Sequence, residues 1–182
     1  SLLLNILPDD IAQRLKTGET TIATKHGEVS ILFADIVNFT PQSALLNPNE
    51  LVIILNEVFS IFDDLSTSYN IEKIKTIGDS YFAVGGLNGD SKQSAINLVL
   101  MAKEMVKKLR TLNERIDKMD LQLRIGIHCG DVVTGVIGKH KFAYDLWGAA
   151  VNFASRMEST SEPGKIHISE NLHKLIKEDF QF

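Results

Sequence analysis

Two aspartates sit where a charge is hard to explain. Asp35 closes the apolar run EVSILFADIV, and Asp79 follows Gly78 in KIKTIGDSY, with Lys75 on the other side of the same glycine. A charge inside an apolar run needs a partner or a route to water. Two carboxylates brought to one place would suit a divalent cation that prefers oxygen ligands, magnesium or manganese. Taken singly, each also reads as an ordinary turn or capping aspartate, and Lys75 as a strand residue reaching for solvent. Between Asp35 and Pro41 the chain leads into a helix start, whose free amides favour an anion. Cation ligands beside an anion nest are parts of a nucleoside triphosphate site. Further on, Asn152 and Arg156 in AAVNFASRM stand four residues apart and share a helical face. An amide beside a guanidinium can hold a ribose and a phosphate, although the spacing alone favours a solvated polar face. His128 beside Cys129 reads as a strand-end pair rather than a metal site. Trp147 fits either a place beside a base or the core.

These residues need elements to carry them. Residues 1 to 18, with Leu2, Leu3, Leu4, Ile6, Leu7, Ile11 and Leu15, predict a short amphipathic helix ended by Gly18. Residues 28 to 37 predict a central strand buried on both faces. Thr40 before Pro41 predicts a cap and first-turn proline. Asn47, Pro48 and Glu50 resemble a capping box ahead of a helix with Leu51, Leu55, Val58, Phe62 and Leu65 on one face. A hairpin follows, from Glu72 to Val84 with its turn at Gly78–Asp79, and then a helix from about Ser91 to Ile116. The alternation of Leu121, Leu123, Ile125 and Ile127 predicts a strand, and Gly130–Asp131 a turn into a second strand, Val132 to Ile137. The resulting order is that of an α+β, ferredoxin-like (βαββαβ) core. A βαβα extension follows: a strand near 142–146, a helix over 149–158, a strand at 165–168 and a helix capped by Ser169.

Composition narrows the function. The chain has 182 residues with a formal charge of -4 and a pI near 5.7, which disfavours a nucleic-acid binder but leaves room for a small anionic ligand. One cysteine, Cys129, excludes an internal disulfide framework and a cysteine-based zinc site, and points to a reducing, cytoplasmic setting. No apolar run approaches the ~20 residues of a membrane span. A missing initiator methionine suggests a piece of a longer chain, with sensor or membrane modules elsewhere.

Together ILFADIVNFT, KIKTIGDSY, LRIGIHCGDVVTGVIG and YDLWGAAVNFASRMES resemble the class III nucleotidyl cyclase catalytic domain, the family of adenylyl and guanylyl cyclases. The similarity covers about residues 28 to 182, leaving 1 to 27 as an N-terminal helix or linker. The resemblance implies that Asp35 and Asp79, with the backbone carbonyl of Ile36, bind two Mg2+ or Mn2+ ions. It implies that amides around Phe39, Thr40 and Gly78 cradle the triphosphate. Asn152 would orient the ribose, and Arg156 would stabilise charge on the α-phosphate as the 3′-hydroxyl attacks it. It also implies a homodimer with active sites at the interface, the aspartates coming from one chain and Asn152 and Arg156 from the other. A final strand pair with a phosphate-binding lysine is expected past Phe182, so the chain reads as truncated before it. Lys139, His140 and Lys141 stand where some relatives use arginine on the phosphates.

Base choice follows from hydrogen bonding. Adenine offers an acceptor at N1 and a donor at N6, whereas guanine offers the reverse. Lys75 only donates and an ionised Asp145 only accepts, so the pair matches adenine; guanylyl cyclases resemble Glu and Cys at these positions. The expected substrate is therefore ATP and the product cyclic AMP. A guanylate cyclase and a catalytically silent nucleotide-binding regulatory domain are the alternatives.

Overall fold

The computed structural model describes residues 5–182; Leu2, Leu3 and Leu4 of the expected first helix lie outside them. Helix α1 (Asp9–Lys16) starts after Pro8 and packs Ile11 and Ala12 with Leu7 and Ile22. Strand β1 (Ala23–Ile36) begins earlier than the apolar run because its first residues pair with the far end of β4. Helix α2 (Phe39–Ser43) is one short turn, and α3 (Pro48–Ser68) opens with the full capping box of Asn47 and Glu50. The hairpin is β2 (Glu72–Ile77) and β3 (Ser80–Gly85). Helix α4 (Ser91–Asn113) then leads to β4 (Leu123–Ile137), β5 (Ala143–Trp147), α5 (Ala149–Ser159), β6 (Ile166–Ile168) and α6 (Glu170–Ile176).

The sheet order is β2-β3-β1-β4-β5, antiparallel throughout, with β6 parallel to the first part of β4. The expected ferredoxin-like core and βαβα extension are both present. Alternation along β1 separates two cores. Leu32, Ala34 and Ile36 face α3, α4 and α6 with Phe62, Leu98 and Met101. Ile31 and Phe33 face α5 with Phe82, Ala150 and Ala154. Phe33 and Phe82 are cross-strand partners whose rings stack at 4.6 Å. Among the described residues no helix is long and apolar enough to cross a membrane.

Two expectations are corrected. Gly130–Asp131 is not a turn: β4 runs through it without interruption. The glycine is there for packing, since a Cβ would come within 2.8 Å of the Ala150 Cβ on α5. The irregularity lies instead on β1, where a bulge between His26 and Val29 places Glu28 at φ 51° and Asp131 Oδ1 accepts its amide at 3.3 Å. Second, Thr40 is not a cap. The helix starts at Phe39, after Asn38 in the left-handed region at φ 53°, a conformation asparagine tolerates better than threonine.

Candidate active site

The sheet register builds the first half of the site. Asp35 lies at the end of β1 with Ser80 opposite it on β3 and Arg124 opposite it on β4. Directly opposed residues project to one face. Ser80 Oγ therefore donates to Asp35 Oδ1 at 3.1 Å, and Arg124 Nη2 to Oδ2 at 3.3 Å. Gly78 takes φ 58° with nothing near its Cβ position, which lets the β2–β3 turn close tightly and set Asp79 beside Asp35. Partial burial pushes the Asp79 carboxyl up to about 6; the neighbouring Asp35 carboxyl adds to the rise and Arg124 opposes it. Phe39 and Thr40, the first residues of α2, follow directly, so their amides precede any intrahelical acceptor.

Sequence reading missed two side chains here. Arg124 looks like one polar residue of an alternating strand until the register puts it against Asp35. Glu158, on α5, is only 8% exposed and brings Oε1 to 3.5 Å from Arg124 Nε. Burial, then the charge of Asp35, pushes its carboxyl up to about 7. One signal could have found it: Ala150, Ala154 and Glu158 fall at i, i+4 and i+8, so an acid occupies the core-facing stripe of the helix.

A second half forms at the sheet edges. Strands β2 and β5 are the two ends of the hydrogen-bonded order, yet Lys75 Nζ reaches Asp145 Oδ2 at 2.6 Å. The twist of the sheet coils it until its edges meet. Asp145 also accepts the amide of Leu146 at 2.8 Å, which fixes its carboxylate. Trp147 stands two residues beyond Asp145 on β5, paired across from Val133 and 39% exposed.

Asn152 and Arg156 are exposed, and among the described residues their side chains make no hydrogen bond or ion pair. They lie across the helix from Ala150, Ala154 and Glu158, whose face is buried on the sheet. Lys139, His140 and Lys141 form the exposed loop between β4 and β5. His128 is buried against Phe153, ring centroids 4.3 Å apart, with Nδ1 2.7 Å from Ser169 Oγ, and no group of three His, Cys, Asp or Glu among the described residues is arranged to hold a metal ion.

Residues 21–182 match the family model of the adenylate and guanylate cyclase catalytic domain. The chain is 41% identical over 181 residues to an adenylate cyclase of Mycobacterium bovis, covering 99% of this chain and 41% of that protein. It is 37% identical over 183 residues to a membrane guanylyl cyclase of Dictyostelium discoideum, covering 100% of this chain and 12% of that protein. The chain thus spans less than half the length of these curated relatives. Among solved structures it resembles the catalytic core of a rhodopsin-guanylyl cyclase with converted specificity in complex with ATPalphaS, with a TM-score of 0.82, 33% identity, and coverage of 89% of this chain and 88% of that one.

Proposed function

This chain belongs to the adenylate and guanylate cyclase catalytic domain family, and on that footing we propose that it converts ATP to 3′,5′-cyclic AMP and pyrophosphate at sites shared between two copies. The observation that carries the choice of base is the Lys75–Asp145 pair at 2.6 Å. A donor-only and an acceptor-only side chain held together match the N1 acceptor and N6 donor of adenine. Guanine would meet each with the wrong polarity, and each buried mismatch costs on the order of 1–3 kcal/mol. Relatives of both kinds match the chain, and it is these two residues that favour adenine.

The carboxylate half suits divalent cations. Its donors are hard oxygens, Asp35 and Asp79 with the Ile36 carbonyl, and the upward shift of Asp79, due first to burial and then to the neighbouring Asp35 carboxyl, is one that a cation would offset. Two magnesium or manganese ions held there would acidify the attacking hydroxyl and neutralise the departing phosphates. Amides of Phe39, Thr40 and Gly78 hold the triphosphate. Asn152 orients the ribose, and Arg156 meets the charge that builds on the α-phosphate as the 3′-oxygen bond forms and the bond to pyrophosphate breaks.

The two-copy reading is supported by the direction of α5. Glu158 faces the sheet and its own chain's Arg124, so Asn152 and Arg156, on the opposite side, face away from their own Asp35. The aspartates they serve belong to a second copy. A direct assay of the dimer with ATP and GTP in the presence of manganese tests the proposal. Cyclic AMP is expected; cyclic GMP without cyclic AMP would overturn the base argument, and tight nucleotide binding without turnover would make the domain regulatory.

A further inference from the structure

The geometry points to Glu158 as a positioning residue for the carboxylate pair, acting through Arg124, so that α5 connects the two active sites of a dimer. The guanidinium of Arg124 is shared: Nη2 lies 3.3 Å from Asp35 Oδ2 and Nε lies 3.5 Å from Glu158 Oε1. Among the described residues Arg124 Nε and Glu158 Oε1 are buried and form no hydrogen bond. Buried polar atoms without partners are uncommon and call for a reason.

The reason is in what a lone partner would do. A guanidinium with one carboxylate beside it tends to close on it with two parallel N–H bonds. Glu158 holds the Nε edge toward α5, leaving Asp35 with a single N–H from Arg124 and the Ser80 hydroxyl. A carboxylate has about four lone-pair directions, so Asp35 keeps room for a cation. Glu158 can do this because α5 is seated directly on β4. A Cβ on Gly126 would overlap the backbone of Met157 and Glu158, and Ala150 and Ala154 keep the rest of the helix close.

The same helix carries Asn152 and Arg156 on its outer side. On the shared-site reading, from which this second half follows, the outer face of α5 grips substrate in one site. Its inner face steadies the carboxylates of the other. A shift of α5 on substrate binding therefore reaches the neighbouring carboxylates through Glu158 and Arg124.

Manganese titration followed by electron paramagnetic resonance tests the positioning role without turnover. Glu158→Gln, which keeps the side-chain shape, should weaken manganese binding on the order of tenfold. The same change made in an Arg124→Gln background should cost clearly less, because only the direct charge effect of Glu158 on Asp35 then remains. An unchanged titration, or an equal second loss in the Arg124→Gln background, overturns the proposal. Mixed dimers test the link between sites. An Asn152→Ala chain with an Asp79→Ala chain keeps one live site, whose carboxylates come from the Asn152→Ala chain. Glu158→Gln in that chain should raise the manganese needed for half-maximal rate, while Glu158→Gln in its partner should not. Equal shifts from both placements would overturn the role of Arg124. An inactive parent mixture, with heterodimers demonstrated, would remove the shared-site reading and leave the manganese result to stand on its own.

Discussion

Lys75 is 44% exposed and Asp145 19% exposed along their side chains, so the pair contributes little to stability and, in the function proposed above, separates to meet a base. Exposed ion pairs are worth roughly 0–1 kcal/mol, less than the matched hydrogen bonds that replace them. Changing Lys75→Glu together with Asp145→Cys should therefore reverse base preference while leaving the fold intact. Each substitution is expected to lower kcat/KM for ATP by about 10- to 100-fold, read against GTP in the same assay, with an unaltered ratio counting against both residues as base readers. Asp63 illustrates the structural counterpart of such a charge. It accepts from Tyr81 Oη at 2.8 Å and lies 2.8 Å from Lys73, and burial raises the Tyr81 hydroxyl well above the usual phenol range. The motif lysine and the structural lysine stand two residues apart on one strand.

At the scale of elements, α5 and β4 decide the site. Because Gly126 faces the backbone of Met157 and Glu158, Gly126→Ala must move the helix. A loss of about 1–3 kcal/mol is expected in urea unfolding, with a larger proportional loss of activity than of fold, since Asn152, Arg156 and Glu158 all ride on that helix. Nearby, His128 is buried between Phe153 and Ser169, and burial lowers its pKa. The unfolded chain therefore takes up that proton first as pH falls. Stability contributed by the neutral ring is full above the ordinary histidine range, about 6.5, and declines as pH drops through it. Unfolding midpoints between pH 8 and pH 5.5 should fall less steeply in His128→Gln than in the parent chain; identical slopes would show that His128 is not the group responsible.

At the scale of the whole molecule, two chains defective in different halves of the site should complement each other. An Asp79→Ala chain and an Arg156→Ala chain are each expected to be inactive alone. Mixed, they should recover about one working site per heterodimer, because one of the two shared sites then contains only unaltered residues. Failure to recover activity in purified heterodimers would place both halves of the site in one chain.

What the sequence settled by itself is whatever is local along the chain. The Asn47–Glu50 capping box, the apolar run of β1, the Gly78 turn and the i, i+4 spacing of Asn152 and Arg156 depend on neighbours a few residues away, and the folded chain has each of them. Whether those elements also made Asp35 and Asp79 neighbours, and Lys75 and Asp145 a pair, depended on strand register and sheet coil. Tertiary structure alone decided that Arg124 faces Asp35, 89 positions away, that Glu158 lies on the buried face of α5 rather than its exposed one, and that Gly130 seats a helix rather than turning the chain. The physical reason is that a carboxylate or a glycine carries the same local signal whether it meets solvent, a cation or a packed backbone. Only the twist that brings distant strands together determines which of these it meets.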